Sequence, residues 1–187
     1  MVPLMVVLLW TPPTRWEAVV ACVVFVGAML TDIVDGYLAR KWGLVSVIGA
    51  FLDPLADKLM VATTLIMLVS VGWVPAWIAA IIICRELTIT ALRTVAIAEG
   101  LVMPADSLGK FKTAFQSTAI GMMLWHYPTQ VWPVTLTPSD PPGVVIHAWS
   151  AGLVLMYIAV GFTVLSALNY LRNFFKFASA KERGEAV

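Results

Sequence analysis

The sequence is short of charge. Only 12% of its 187 residues are Asp, Glu, Lys or Arg, and 60% are apolar. The mean hydropathy is +0.90. A soluble domain is about a quarter charged, so the composition excludes an ordinary soluble fold. The formal net charge of +1 leaves no basic surface for nucleic acid. Cysteine is scarce too. Cys22 and Cys84 are the whole complement, both lie in apolar runs, and their spacing suits no metal, so both are expected to be buried thiols. Ahead of the first apolar stretch there is neither a basic leader nor a small-residue cleavage site, as a signal peptide would carry. No internal repeat, low-complexity tract or second domain interrupts residues 1–187.

What is present is a series of long apolar runs. A helix of ~20 residues crosses ~30 Å of hydrocarbon, and the chain holds several such lengths. The opening run, 1–10, is too short to cross and is closed by Thr11-Pro12-Pro13-Thr14; it is expected to be a short or truncated first helix. Further helices are expected over about 16–41, 46–71, 76–98, 108–126 and 145–171. A tight turn at 72–75, a loop at 100–107 and a Pro-rich loop at 128–143 separate them, and a polar basic tail follows. The fold class is therefore all-α, a polytopic membrane bundle of six transmembrane helices forming a single domain. Alternating the helices collects Arg40, Lys41, Lys110, Lys112, Arg172, Lys176, Lys181 and Arg183 on one face and leaves Arg15 on the other. Positive charge favours the cytoplasmic side, so that face is assigned to the cytoplasm. Trp10, Trp16, Trp73, Trp77, Trp125, Trp132 and Trp149 gather toward the opposite interface as an aromatic belt, with His126 and His147 beside them.

Four carboxylates sit where apolar residues are expected. A charged group inside a membrane helix costs several kcal/mol unless paired, hydrated or metal-bound, yet Asp32, Asp35, Asp53 and Asp57 fall within 26 residues. The first two are three apart and the last two four apart, so each pair shares a helix face. Gly36 and Ala39 continue the first stripe, and Gly49 lies one turn before Asp53. Small residues there admit a close neighbour or a flat ligand. Solvated or ion-paired helix ends would account for one such Asp. Four on two stripes ask for a ligand, and all-oxygen donors suit a hard divalent cation such as Mg²⁺ or Mn²⁺.

The run Asp32, Asp35, Gly36, Ala39 and Arg40, then eight residues to Gly49, three to Asp53 and three to Asp57, resembles the motif of the CDP-alcohol phosphotransferase family at every fixed position. The resemblance implies six transmembrane helices, often in a homodimer, and a metal site open to the cytoplasm. It implies that Asp32, Asp35 and Asp53 bind two metal ions, with Asp57 contributing to one and acting as general base toward the acceptor hydroxyl. It also implies that Asp32, Gly36, Ala39 and Gly49 border the cytidine part of the donor, while Arg40 holds its diphosphate. Such chemistry is physically apt, because metals stabilise charge developing on a transferred phosphoryl group.

The acceptor is a separate matter. Arg85, Arg93, Lys110 and Lys112 place extra cations beside this site. Arg85 and Arg93 stand eight residues apart, about 12 Å along a helix, and so can flank an anion rather than grip one atom. Lys110 and Lys112 lie in the first turn of their helix, where free N–H groups also favour anions. A phosphorylated acceptor is favoured over inositol, choline or ethanolamine. A structural alternative pairs Arg85 with Glu86 and makes the lysines snorkelling anchors. The segments 85–93 and 109–116, with 49–58, are similar to the bacterial phosphatidylglycerophosphate synthase branch of the family, and the similarity runs over about 16–127. That likeness implies CDP-diacylglycerol as donor, sn-glycerol 3-phosphate as acceptor, and a bacterial inner membrane as the setting, with membrane lipids as neighbours. Members of the branch usually open with an amphipathic Asn/Pro- and Thr-containing segment and an Arg that this chain lacks. Sibling enzymes making cardiolipin or a phosphatidylinositol phosphate remain open at this point, as does a divalent-cation transporter. A transporter would want its carboxylates near the midplane with a route to both sides.

Overall fold

A computed structural model describes residues 1–42, 47–99, 107–127, 129–130, 145–146 and 148–183. Within these, the side chains at 39–40, 47–54, 107–110, 129–130, 145–146, 178 and 180–182 are left out of the description. The chain runs as α1 (Val2–Leu8), α2 (Arg15–Trp42), α3 (Val47–Ser70), α4 (Ala76–Ala98), α5 (Ser107–Leu124) and α6 (Ala148–Glu182). Between α5 and α6 lies a two-residue antiparallel ladder, β1 (Thr129–Gln130) with β2 (Val145–Ile146). Apart from that ladder, the described elements are helices, in keeping with the expected class.

The short first helix is as expected, and two features differ from the expectation. Helix α1 has seven residues, about 10 Å of rise, and cannot cross a bilayer. Its Met5 and Leu9 are instead fully buried among the other helices. Helix α6 does not stop near 171; it continues for 35 residues to Glu182, a length of about 52 Å, so the basic tail is largely helical. Cys84 is exposed, whereas Cys22 is buried. An apolar run on a membrane helix has a lipid-facing side as well as a packed one, and Cys84 occupies the former. Position His147 and most of the 128–143 loop lie outside the described residues.

Helices α2 (Arg15–Leu38) and α6 (Ala148–Phe177) contain the stretches that are long and apolar enough to cross a membrane. Only 22% and 33% of those windows are buried, so most of their apolar surface faces outward, as a lipid solvent permits and water does not. The chain is accordingly a membrane protein. Its core joins Phe25 of α2, Leu65 and Leu68 of α3, Ile78 and Ile82 of α4, Ile120 and Met123 of α5, and Met156 of α6. Helices α5 and α6 approach closely at Gly152. A Cβ there would stand 2.9 Å from Met123 Cγ and 3.1 Å from the Ala119 carbonyl oxygen, so glycine sets this contact. Buried hydroxyls are satisfied within their own helices: Thr64 donates to the Met60 carbonyl at 2.8 Å and Thr163 to the Ala159 carbonyl at 2.6 Å. The α3–α4 turn bends at Gly72, whose φ of +76° is strained for any residue with a side chain.

The two ends of the bundle differ. At one, Trp73 stacks on His126 with 3.8 Å between ring centres, Trp149 meets His126 edge-on, and Trp149 Nε1 donates to the Trp73 carbonyl. Tyr127 donates to the Pro13 carbonyl beside them. The expected aromatic end is thus assembled from four chain segments. Arg15 and Glu17 begin α2 near this end, and the cluster of Asp57, Lys58, Arg85, Glu86, Arg93 and Lys112 lies away from it.

Candidate active site

The end of α2, the first half of α3, the second half of α4, the start of α5 and the later half of α6 enclose a cavity of about 830 Å³. Antiparallel alternation explains why: each helix places its charge-bearing portion at the same level. Asp32 comes from α2, Asp57 and Lys58 from α3, Arg85, Glu86 and Arg93 from α4, Lys112 from α5, and Ser166 and Tyr170 from α6. Phe25, Val26, Met29, Leu30 and Ile33 of α2 give the same cavity an apolar wall. The space is amphipathic, with charge on one side and hydrocarbon on the other.

Five residues singled out from sequence meet here: Asp32, Asp57, Arg85, Arg93 and Lys112. Asp35, three residues beyond Asp32 on α2, is exposed and Gly36 half-buried; neither lines the cavity. Asp53 lies in α3 one turn before Asp57 and Gly49 one turn before that, while Ala39 and Arg40 lie in the last turns of α2 and Lys110 in the first turn of α5. Their side chains fall outside the described residues. Among the described residues no three metal-ligating side chains stand together. Asp53, expected from the sequence to be a metal ligand, has its side chain outside the described residues.

The cations are held by specific partners. Glu86 accepts from Arg85 Nη1 at 3.1 Å and from Lys112 Nζ, both at its Oε1. Arg85 Nη2 donates to Ser166 Oγ at 2.8 Å. Lys58 donates to Thr90 Oγ1 at 2.8 Å, and Thr90 donates in turn to the Glu86 carbonyl. The ion pair between Arg85 and Glu86, weighed above as a structural alternative, is present, and it sits within the cavity rather than away from it. The lysine at 112 is no snorkelling anchor: the residue is only 4% exposed.

Sequence reasoning missed Lys58, Ser166 and Tyr170 as cavity residues. Tyr170 is buried, and its hydroxyl has no hydrogen-bond partner among the described residues. A polar group left so costs about 1–3 kcal/mol, and the residue lines the cavity. The available signal was the spacing of Ser166 and Tyr170, four apart on one helix face. A serine and a tyrosine four apart in an apolar helix are ordinary, so that spacing alone does not single them out.

A family profile described as CDP-alcohol phosphatidyltransferase matches residues 1–165. The chain belongs to that family. The match takes in α1 and about half of α6 as well as the motif, a longer stretch than the quoted segments alone. Among curated relatives, a Bacillus subtilis (strain 168) protein named CDP-diacylglycerol–glycerol-3-phosphate 3-phosphatidyltransferase is 42% identical over 148 residues, covering 79% of this chain and 69% of that protein. A probable phosphatidylglycerophosphate synthase of Mycobacterium tuberculosis (strain CDC 1551 / Oshkosh) is 38% identical over 153 residues, covering 82% of this chain and 65% of its own length. A rice protein (Oryza sativa subsp. japonica) named cardiolipin synthase (CMP-forming) is 33% identical over 175 residues, covering 86% and 50% respectively. The chain thus spans from half to about two thirds of the length of these three relatives.

Proposed function

We propose that this chain transfers the phosphatidyl group of CDP-diacylglycerol to sn-glycerol 3-phosphate, forming phosphatidylglycerol phosphate and releasing CMP. The observation that carries the reading is the amphipathic cavity, in which Asp32 and Asp57 face Arg85, Arg93 and Lys112 beside an apolar wall on α2. A lipid diphosphate needs both surfaces, and a phosphorylated acceptor needs the cations. The relatives bearing the corresponding name from Bacillus subtilis and Mycobacterium tuberculosis support the same substrates.

In this reading the acceptor hydroxyl oxygen bonds to the phosphorus nearest the diacylglycerol. The bond from that phosphorus to the bridging oxygen breaks, CMP departs with the electron pair, and the hydroxyl proton passes to Asp57. Asp32, Asp35, Asp53 and Asp57 have the all-oxygen chemistry that fits one or two Mg²⁺ or Mn²⁺ ions. Such ions, when bound, neutralise the donor diphosphate. Arg40 and the small residues Gly36, Ala39 and Gly49 belong to the donor side. Arg85, Arg93, Lys110 and Lys112 belong to the acceptor phosphate. We read the protein as one membrane domain of six helices in a bacterial inner membrane, the first of them too short to span as described. The family resemblance and the excess of Lys and Arg at the charged end support reading it as a homodimer with its site open to the cytoplasm.

The test supplies CDP-diacylglycerol and Mg²⁺ with a panel of acceptors and measures CMP release. Glycerol 3-phosphate should be used well, and inositol, glycerol and phosphatidylglycerol poorly. Preferential use of phosphatidylglycerol would favour the cardiolipin-forming sibling. Metal flux across liposomes without CMP release would favour transport.

A further inference from the structure

Glu86 has no role in the proposed transfer, yet it lies at the centre of the cation cluster. Arg85 and Lys112 both donate to one and the same atom, Glu86 Oε1. Their side chains are 13% and 5% exposed, so without an anion they would be two nearly buried positive charges, an arrangement that costs several kcal/mol. Glu86 is the most open of the three at 23%. Of the three, its carboxylate therefore has the shortest way back to water if it is displaced.

Arg85 has an anchor besides Glu86, and Lys112 is buried at 4% exposure. Ser166 on α6 fixes the second guanidinium nitrogen of Arg85. A phosphomonoester brings up to two charges and three acceptor oxygens, and matches the planar fork of Arg better than one carboxylate oxygen does. A neutral alcohol brings no charge and could not replace Glu86 without stranding both cations.

We infer that Glu86 is an internal stand-in for the acceptor's phosphate: it holds Arg85 and Lys112 until a phosphomonoester displaces it. The residue is then a positioning and affinity-setting group rather than a catalytic one. This rests on the acceptor reading above and deepens it, since part of the acceptor's binding energy is spent on releasing Glu86. A purely structural role predicts the opposite sign. If Glu86 only anchors the cations, removing its charge loosens the site and weakens the acceptor. If it competes, removing its charge tightens the acceptor.

The experiment compares the full-length wild type with E86Q in membranes, using CMP release from CDP-diacylglycerol with Mg²⁺. The KM for glycerol 3-phosphate should fall about tenfold in E86Q, equivalent to one lost competing charge contact. Inorganic phosphate should inhibit it about tenfold more strongly. The KM for CDP-diacylglycerol and kcat should change little. A raised or unchanged KM for glycerol 3-phosphate in E86Q, with the wild type active, would overturn the assignment of Glu86 alone. A wild type inert toward glycerol 3-phosphate but active with an unphosphorylated alcohol would overturn the acceptor reading and this inference with it. Should E86Q fail to insert, E86D carries the test. Its shorter side chain reaches the two cations less well, so a lowered KM supports competition and an unchanged or raised one refutes it.

Discussion

Asp57 lines the cavity half-buried, one turn beyond Asp53 on α3 and across from Asp32 on α2. A carboxylate so placed can receive a proton from an acceptor hydroxyl, and positioned proton transfer contributes ~10²–10⁴-fold. Asp57→Asn is therefore expected to lower turnover by about that factor while the protein still inserts and retains its donor. Collapse of donor affinity with turnover preserved at saturation would make Asp57 chiefly a ligand of the donor or metal. EDTA is expected to abolish activity and Mg²⁺ or Mn²⁺ to restore it, since Asp32, Asp35 and Asp53 otherwise hold uncompensated charge in a membrane helix pair. Full activity in chelator would remove the metal from the reading. Arg93 lines the same cavity two turns along α4 from Arg85. Arg93→Ala should raise the KM for glycerol 3-phosphate and leave that for CDP-diacylglycerol nearly unchanged. Arg93→Lys should remain impaired if the planar two-point contact matters. These residues could be found in the sequence because ionic groups are rare among apolar ones, and each exception stood out. Tyr170 and Ser166 could not be found that way, since a tyrosine and a serine in an apolar helix are ordinary. Only the arrangement of five helices reveals that they face the charges.

At the scale of elements, helix positions were legible because lipid-facing and core-facing residues are both apolar, leaving turns marked by Pro, Gly and charge. The same fact hid which face of each helix is packed, and so Cys84 was expected inside when it lies outside. The end of α6 was misjudged because its last turns are polar and basic. A helix leaving the hydrocarbon need not stop, and nothing in 172–182 breaks it. The packing contact that could not be read from periodicity is Gly152. Gly152→Leu would drive a side chain into Met122, Met123 and the Ala119 carbonyl, and overpacking costs about 1–3 kcal/mol. A lowered unfolding temperature in detergent, with α5 and α6 still inserted, is the expected result; an unchanged one would show that the two helices separate without cost. The α3–α4 turn is tied to the end of α5 by the Trp73–His126 stack. Burial holds the His126 imidazole below its ordinary range. Between that lowered value and about pH 6.5 the unfolded chain binds a proton that the folded chain refuses. Stability is then present above the window and lost as pH falls through it. Unfolding temperatures of the wild type should drop relative to His126→Gln as pH is lowered from 7 toward 5, and parallel curves would remove His126 as the cause.

The whole molecule is polarised along the bundle, and that polarity is what connects fold to function. Aromatic rings close one end, while the other gathers carboxylates and cations around a cavity with an apolar wall. A lipid donor can enter such a cavity sideways from the bilayer, and a charged acceptor can enter only from water. On the proposed function the charged end faces the compartment that supplies phosphorylated alcohols, and the excess of Lys and Arg there is the ground for proposing the cytoplasm. The assignment is open to a direct test that does not depend on activity. Thr11, in the link between α1 and α2, and Lys176, in the extended part of α6, are both exposed and lie toward opposite ends of the bundle. With Cys22 and Cys84 replaced by Ala, single Thr11→Cys and Lys176→Cys variants would be treated in intact spheroplasts with a membrane-impermeant maleimide. Thr11→Cys should react at once. Lys176→Cys should react only after the membrane is permeabilised. The reverse pattern would turn the protein over and place the cavity where no cytoplasmic acceptor could reach it. Labelling of both before permeabilisation would mean that one of these ends does not lie across the bilayer from the other, and the spanning count itself would have to change.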